Sequence, residues 1–62
     1  MKNAKEELIE LLGIIEGDAK YMKELVEEDD FELLDELLCI VIYRAETAKD
    51  LYYRILEEKG IE

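Results

Sequence analysis

The stretch that decides the fold is residues 25–38, which read LVEEDDFELLDELL. An acidic run separates two hydrophobic patterns here, and Asp29 and Asp30 are residues of a type that favours a helix N-terminus. Asp29 and Glu32 have the spacing of a capping box, and acidic residues in a first turn suit the positive end of the helix dipole. We therefore predict that one helix ends and a second begins at this point.

Apolar residues recur at intervals of three and four on both sides of the acidic run, which is typical of amphipathic helices. The first stripe keeps its phase across Gly13 and Gly17, which favours one helix over two helices broken at Gly17 with Asp18 as N-cap. With Gly60 as the expected C-terminal stop, the pattern predicts helices over about 3–28 and 30–59. The predicted inner stripes are Ala4, Leu8, Leu11, Leu12, Ile15, Ala19, Met22 and Val26, then Leu34, Leu37, Leu38, Val41, Ala45, Ala48, Tyr52, Ile55 and Leu56.

Two helices of similar length joined by a short turn fold back as an antiparallel hairpin, so the predicted fold is all-α, with a single domain over residues 1–62. A lone hairpin would leave much apolar surface in water, because residues 37–43 are apolar on every side of the helix. We therefore expect a homodimer that forms a four-helix bundle. The predicted dimer or partner interface consists of Leu37, Ile40, Val41, Ile42, Tyr43 and Tyr53.

Composition excludes several classes of function. The formal net charge is -10, with 18 acidic and 8 basic side chains, which disfavours direct binding of nucleic acid or of an anionic membrane. The chain has no His and one Cys, so we predict no zinc site, no catalytic Cys–His pair and no cofactor. Residues 37–43 form the longest apolar run, far short of the roughly 20 residues that span a bilayer. We expect a soluble, cytoplasmic protein.

The acidic turn, defined as Glu27, Glu28, Asp29 and Asp30, allows three interpretations. It is a solvated turn that complements the helix dipole, or a surface for a basic protein partner. The third interpretation is docking onto the lysines near the termini of a second hairpin, which are Lys2, Lys5 and Lys59.

The end of the second helix contains an A-x-x-L-Y-x-x-x-L-x-x-x-G spacing, formed by Ala48, Leu51, Tyr52, Leu56 and Gly60. This spacing resembles that of the Rop family of plasmid copy-number regulators. The resemblance implies a helical hairpin that dimerises into a four-helix bundle and binds paired RNA loops through the first helix. The corresponding outer face here contains four acidic residues and one basic residue, so RNA binding is not expected; that face is Glu6, Glu10, Gly13, Gly17, Lys20, Glu24 and Glu27.

Two carboxylate pairs provide an enzyme alternative. Glu7 with Glu10, and Glu32 with Asp35, are spaced so that each pair lies on one side of a helix. Their order is similar to that of the magnesium-binding carboxylates of MazG-type all-α nucleotide pyrophosphatases, which implies Mg²⁺ held by hard oxygen ligands beside a diphosphate.

Three functional hypotheses follow from these patterns. The leading one is a non-catalytic interaction or regulatory module that acts as a homodimer. The second is an acidic mimic of nucleic acid that blocks a basic cleft on a nucleic-acid-binding protein. The third is the Mg²⁺-dependent pyrophosphatase, with Glu7, Glu10, Glu32 and Asp35 as its metal ligands.

Overall fold

The computed structural model describes residues 2–60 and folds them into two α-helices. Helix α1 spans Ala4–Glu27 and helix α2 spans Phe31–Glu58, and no β-strand occurs between residues 2 and 60. The predicted all-α class and both helices are confirmed. Helix α1 continues through Gly13 and Gly17, which rules out the three-helix alternative.

Asn3 caps the N-terminus of α1. Its Oδ1 accepts a hydrogen bond of 2.8 Å from the backbone N–H of Glu6, which satisfies one of the donors that a helix leaves unpaired at its start. Glu6 and Glu7 lie in the first turn, where their charge is favourable next to the positive end of the helix dipole.

The turn between the helices closes α1 with a Schellman motif. The N–H of Asp30 donates to the carbonyl of Leu25 at 2.9 Å, and the N–H of Asp29 donates to the carbonyl of Val26 at 3.2 Å. Asp29 has φ of 58°, in the left-handed region that glycine usually occupies at this position.

The predicted capping box of Asp29 and Glu32 is wrong. Asp30 is the N-cap of α2, and its Oδ1 accepts from the N–H of Leu33 at 3.3 Å. Asp29 cannot serve as the cap because its left-handed backbone already terminates α1. The two aspartates of the acidic turn therefore have different roles, because Asp29 ends α1 and Asp30 caps the start of α2.

Gly60 ends α2, as the sequence predicts. It has φ of 71°, and its N–H donates to the carbonyl of Glu57 at 3.1 Å. Lys59 is the C-cap residue, and its N–H bonds to the carbonyl of Ile55 at 3.1 Å. A glycine with positive φ directly after the cap is a common way to stop a helix.

The two helices pack side by side as an antiparallel hairpin, 46 Å long and 18 by 16 Å across. The seam between them consists of residues spaced alternately by three and four, the repeat of a two-helix coiled coil. Each seam residue is buried or half-buried. The seam is Ala4, Leu8, Leu11, Ile15, Asp18, Met22 and Leu25 on α1, and Leu34, Leu37, Val41, Arg44, Ala48, Leu51 and Ile55 on α2.

The predicted inner stripes are correct at many positions and wrong at six. Leu12, Ala19, Val26, Leu38, Ala45 and Tyr52 were expected inside and are exposed. In their place the seam holds the preceding residues of each helix, among them Asp18, Leu25 and Leu51. The sequence carries two adjacent apolar rows on each helix, and only one row can face the other helix.

Candidate functional site

An ion pair occupies the middle of the seam. The Nη1 of Arg44 donates a hydrogen bond to the Oδ2 of Asp18, and the two side chains are only 34% and 16% exposed. Each charge lies between apolar seam residues, where an unpaired charge would be costly. The pair also fixes the alignment of the helices, because it holds residue 44 at the level of residue 18.

The hairpin has two long sides, one on each flank of the seam. In an antiparallel pair of helices, residues one position before a seam residue lie on one flank, and residues one position after lie on the other. Glu7 and Arg54 each precede a seam residue, and the Nη1 of Arg54 lies 3.6 Å from the Oε2 of Glu7. The residues that precede seam positions on the two helices therefore share a flank.

The flank formed by residues that follow seam positions carries a row of exposed apolar residues, here named the alanine face. It is formed by the residues that follow Leu11, Asp18 and Leu25 on α1, and by those that follow Leu37, Arg44 and Leu51 on α2. Its large side chains are 45–51% exposed, which is unusual for so many apolar residues in one row. The alanine face is Leu12, Ala19, Val26, Leu38, Ala45 and Tyr52.

Lysines border the alanine face. Four lysines lie on this flank, with two carboxylates among them: Lys5, Lys23, Lys49 and Lys59, with Glu16 and Asp35. The Nζ of Lys49 lies 5.8 Å from the ring centre of Tyr53, which in turn packs 5.5 Å from the ring of Tyr52. Lys5 and Lys59 continue the row of the alanine face at the end where both chain termini lie.

The opposite flank carries a smaller apolar patch, here named the tyrosine face. It consists of Ile14, Tyr21, Ile40 and Tyr43, with exposures of 50%, 45%, 42% and 71%. Because Asp18 contacts Arg44, the two α2 residues lie beside the stretch of α1 between Ile14 and Tyr21. The patch is therefore about 10 Å long, from seven residues at 1.5 Å each.

Carboxylates surround the tyrosine face. Seven lie on this flank, namely Glu7, Glu10, Glu24, Glu28, Glu36, Asp50 and Glu57. Nearby cations are already paired, since Arg54 contacts Glu7 and Lys2 contacts both oxygens of Glu10 at 2.6 Å. The hydrogen bond from Lys2, together with the charge of Glu10, raises the pKa of Lys2 above its ordinary value.

The structure does not bring the six predicted interface residues together. Leu37 and Val41 lie half-buried in the seam against α1, while Ile40 and Tyr43 belong to the tyrosine face. Ile42 lies beyond the alanine face, and Tyr53 lies on the outer side of α2. Their role in an interface stays a prediction. Sequence reasoning missed Leu12, Ala19, Leu38 and Ala45 as surface residues, although their regular spacing of seven on each helix was visible.

The acidic turn is exposed at all four residues. Glu27, Glu28 and Asp29 lie at the C-terminal end of α1, where negative charge is unfavourable next to the helix dipole. Among these four side chains, the carboxylate of Asp30 accepts a backbone hydrogen bond, as the N-cap of α2. A basic group from outside the chain would therefore interact favourably with the carboxylates at this end of the hairpin.

The carboxylate pairs of the pyrophosphatase hypothesis lie at opposite ends of one hairpin. Glu7 and Glu10 are near the start of α1, whereas Glu32 and Asp35 are near the turn, about 30 Å away at 1.5 Å per residue. One chain cannot place both pairs on one Mg²⁺ ion. Residues 2–60 contain no group of three or more His, Cys, Asp or Glu side chains placed to hold a metal.

The carboxylates do not form a continuous phosphate-like track along α1. On the tyrosine side of this helix, Glu10 and Glu24 are separated by about 21 Å, with Gly17 between them. A nucleic-acid strand carries one phosphate per 3.4 Å of duplex axis. The mimic hypothesis therefore finds no geometric support on this helix.

Concave sites are absent from the described part of the chain, which has no pocket. Neither helix, over residues 2–60, is long and apolar enough to cross a membrane. Searches against protein-family models, curated proteins and solved structures find no match. The resemblances to the Rop family and to MazG-type enzymes remain predictions.

Proposed function

We propose that this chain is a non-catalytic interaction module that works as a homodimer, with the alanine faces of two hairpins packed together in a four-helix bundle. The observation that carries the proposal is the exposed apolar row along both helices of one flank, with Ala19 and Ala45 near its middle. Small residues at the middle allow the helices of two hairpins to approach closely.

The exposed area supports a second copy. A compact monomer of 7.3 kDa exposes about 4,200 Å² by the usual scaling of surface with mass, whereas this chain exposes 5082 Å². The excess of about 900 Å² is close to the roughly 800 Å² that each partner buries in a standard interface. Among residues 2–60, Ala4, Leu25 and Leu51 alone are buried, so this part of the hairpin has little core of its own.

Charge selects the antiparallel arrangement of the two hairpins. In that arrangement Lys5 and Lys59 of one copy lie over the turn of the other, next to the acidic turn, and their alkyl stems cover Val26 and Phe31. A parallel arrangement would bring four of these lysines together at one end and two acidic turns together at the other.

Side-chain size also fits the antiparallel arrangement. In α1, Leu12 of one copy then lies opposite Ala19 of the other copy. In α2, Ala45 of one copy lies opposite Ala45 of the other, near the centre of the helix. Large residues thus meet small ones on α1, while α2 approaches its copy closely through alanine.

A matched pair of substitutions on α2 tests the proposal. Leu38 on the alanine face and Ile40 on the tyrosine face are 45% and 42% exposed and lie two residues apart. We expect Leu38→Glu to weaken the dimer by at least about a hundredfold, because it buries a carboxylate in an apolar interface. Ile40→Glu should leave the dimer constant within about threefold in analytical ultracentrifugation. Equal effects of the two substitutions, or a monomeric parent chain, would contradict the proposal.

A further inference from the structure

We infer that the tyrosine face is a docking surface for a basic amphipathic helix of another protein. The inference rests on the proposed function, because it takes the alanine face to be covered by the second copy. It goes further by naming the chemistry of the partner that the module binds.

The tyrosine face has the composition of an interface centre. Tyr21 and Tyr43 present large rings with polar tips, and Ile14 and Ile40 complete an apolar patch in which every residue is at least 42% exposed. Tyrosine supplies large contact area with few rotatable bonds, and it is enriched at binding hot spots.

The shape of the patch fits a helix. It lies along one flank of two antiparallel helices, and its length of about 10 Å corresponds to two turns of a docked helix. Gly17 lies on the same side of α1 between Ile14 and Tyr21, and a Cβ built there would meet nothing within 4 Å. The backbone at Gly17 is therefore open to close approach by a neighbouring helix.

The charges at both ends of the patch select a basic partner. Glu24 and Glu36 lie toward the turn, and Asp50 lies toward the chain termini, on the same flank as Glu10, which is already paired with Lys2. Cationic residues that flank a two-turn apolar segment would meet a carboxylate at each end.

A second copy of this chain is a poor occupant of the tyrosine face. Glu7 and Glu10 are paired with Arg54 and Lys2, but packing two tyrosine faces together would still bring the other five carboxylates of one copy against the same five of the other, which costs free energy through like-charge repulsion. Lys5, Lys23, Lys49 and Lys59 lie on the opposite flank, where the proposed homodimer covers the alanine face. The occupant is therefore a different, basic chain.

The test is a fluorescence anisotropy titration of the full chain with two labelled helical peptides. Both carry the same leucines at helical spacing, and the flanking residues are lysine in one peptide and glutamate in the other. We expect the lysine peptide to bind at least about tenfold more tightly, and to lose about tenfold in affinity with the Glu24→Gln/Glu36→Gln variant.

Two further variants locate the binding site. Ile40→Ser should lower the affinity for the lysine peptide by at least about fivefold, and Leu38→Ser should leave it within about twofold while weakening the homodimer. The mass of each variant, measured on the same samples, reports separately on the homodimer.

Several results would overturn the inference. They are equal binding of the two peptides, no binding of the lysine peptide at millimolar concentration, and loss of binding in Leu38→Ser rather than in Ile40→Ser. Assembly of the parent chain beyond a dimer that Ile40→Ser abolishes would show that a second copy covers the tyrosine face.

Discussion

The two flanks of the hairpin differ from each other more than its two helices do. Both flanks carry exposed apolar residues at helical spacing, but alanines and lysines mark one, and tyrosines and carboxylates mark the other. The alanine face extends along both helices, and we propose that it pairs with the same face of a second copy. The tyrosine face is short and acidic at its ends. If the two proposals hold, the placement of charge, rather than the amount of apolar surface, decides which partner each helical face accepts.

The largest effect is expected at the ion pair that holds both faces in alignment. Arg44→Leu leaves the carboxylate of Asp18 largely buried without a partner, and should lower the free energy of unfolding by about 2–3 kcal/mol. This is less than for a fully buried pair, because Arg44 retains a third of its exposure. Urea unfolding at fixed protein concentration measures the change.

The double variant Asp18→Leu/Arg44→Leu is the control for this prediction. It restores an apolar seam without an unpaired charge, so its stability should return to within about 1 kcal/mol of the parent chain or exceed it. A double variant as unstable as Arg44→Leu would show that packing, and not the unpaired carboxylate, explains the loss.

A smaller effect is expected when the lysines of the alanine face are reversed. Lys5→Glu/Lys59→Glu places carboxylates over the partner's acidic turn and should weaken the dimer by about tenfold at low salt. Lys20→Glu, on the outer side of α1, changes charge in the same direction and should leave the dimer constant nearly unchanged. In a parallel dimer the same variant would replace four clustered lysines by four clustered carboxylates, so like-charge repulsion would persist and the dimer constant should stay nearly unchanged.

The glycines of α1 should give a stabilisation of about 1 kcal/mol each when replaced by alanine. Gly13 and Gly17 have open space around them, so a methyl group fits without a clash. Gly13→Ala should raise the melting temperature and leave peptide binding unchanged. Gly17→Ala should raise the melting temperature equally but lower the affinity for the lysine peptide, because the added methyl group lies on the side of α1 that carries the tyrosine face. An unchanged affinity would show that the docked helix does not approach Gly17.

The smallest effect is expected at the turn, which is shared by both faces. Asp29→Gly removes the strain of a left-handed aspartate and a negative charge at the C-terminus of α1, so it should stabilise the chain by about 0.5–1 kcal/mol. Asp30→Gly is the comparison, because it removes the N-cap side chain of α2 and should not stabilise. Thermal unfolding at a fixed concentration separates the two outcomes.

The helices were predictable because their signals are local. The phase of the apolar pattern carried α1 through Gly17, and the acidic run and Gly60 marked the ends within about two residues. The cap at Asp30 was not predicted, since the sequence places two aspartates side by side and only the backbone of Asp29 shows which one closes α1.

The faces were harder to predict, because each helix has two neighbouring apolar rows and periodicity alone does not say which row meets the other helix. The apolar pattern does not place Asp18 and Arg44 in the seam, because a charged residue is costly there unless it has a partner. Their opposite charges are the signal in the sequence that they could pair. Leu12 and Ala19 fit the apolar pattern, although they lie on a flank of the hairpin.

The molecular mass of the unmodified chain in solution tests the central claim most directly. Sedimentation equilibrium at low micromolar concentration should give twice the chain mass of 7.3 kDa, with no larger species. A mass of 7.3 kDa for a folded chain would contradict the proposal that a second copy covers the alanine face.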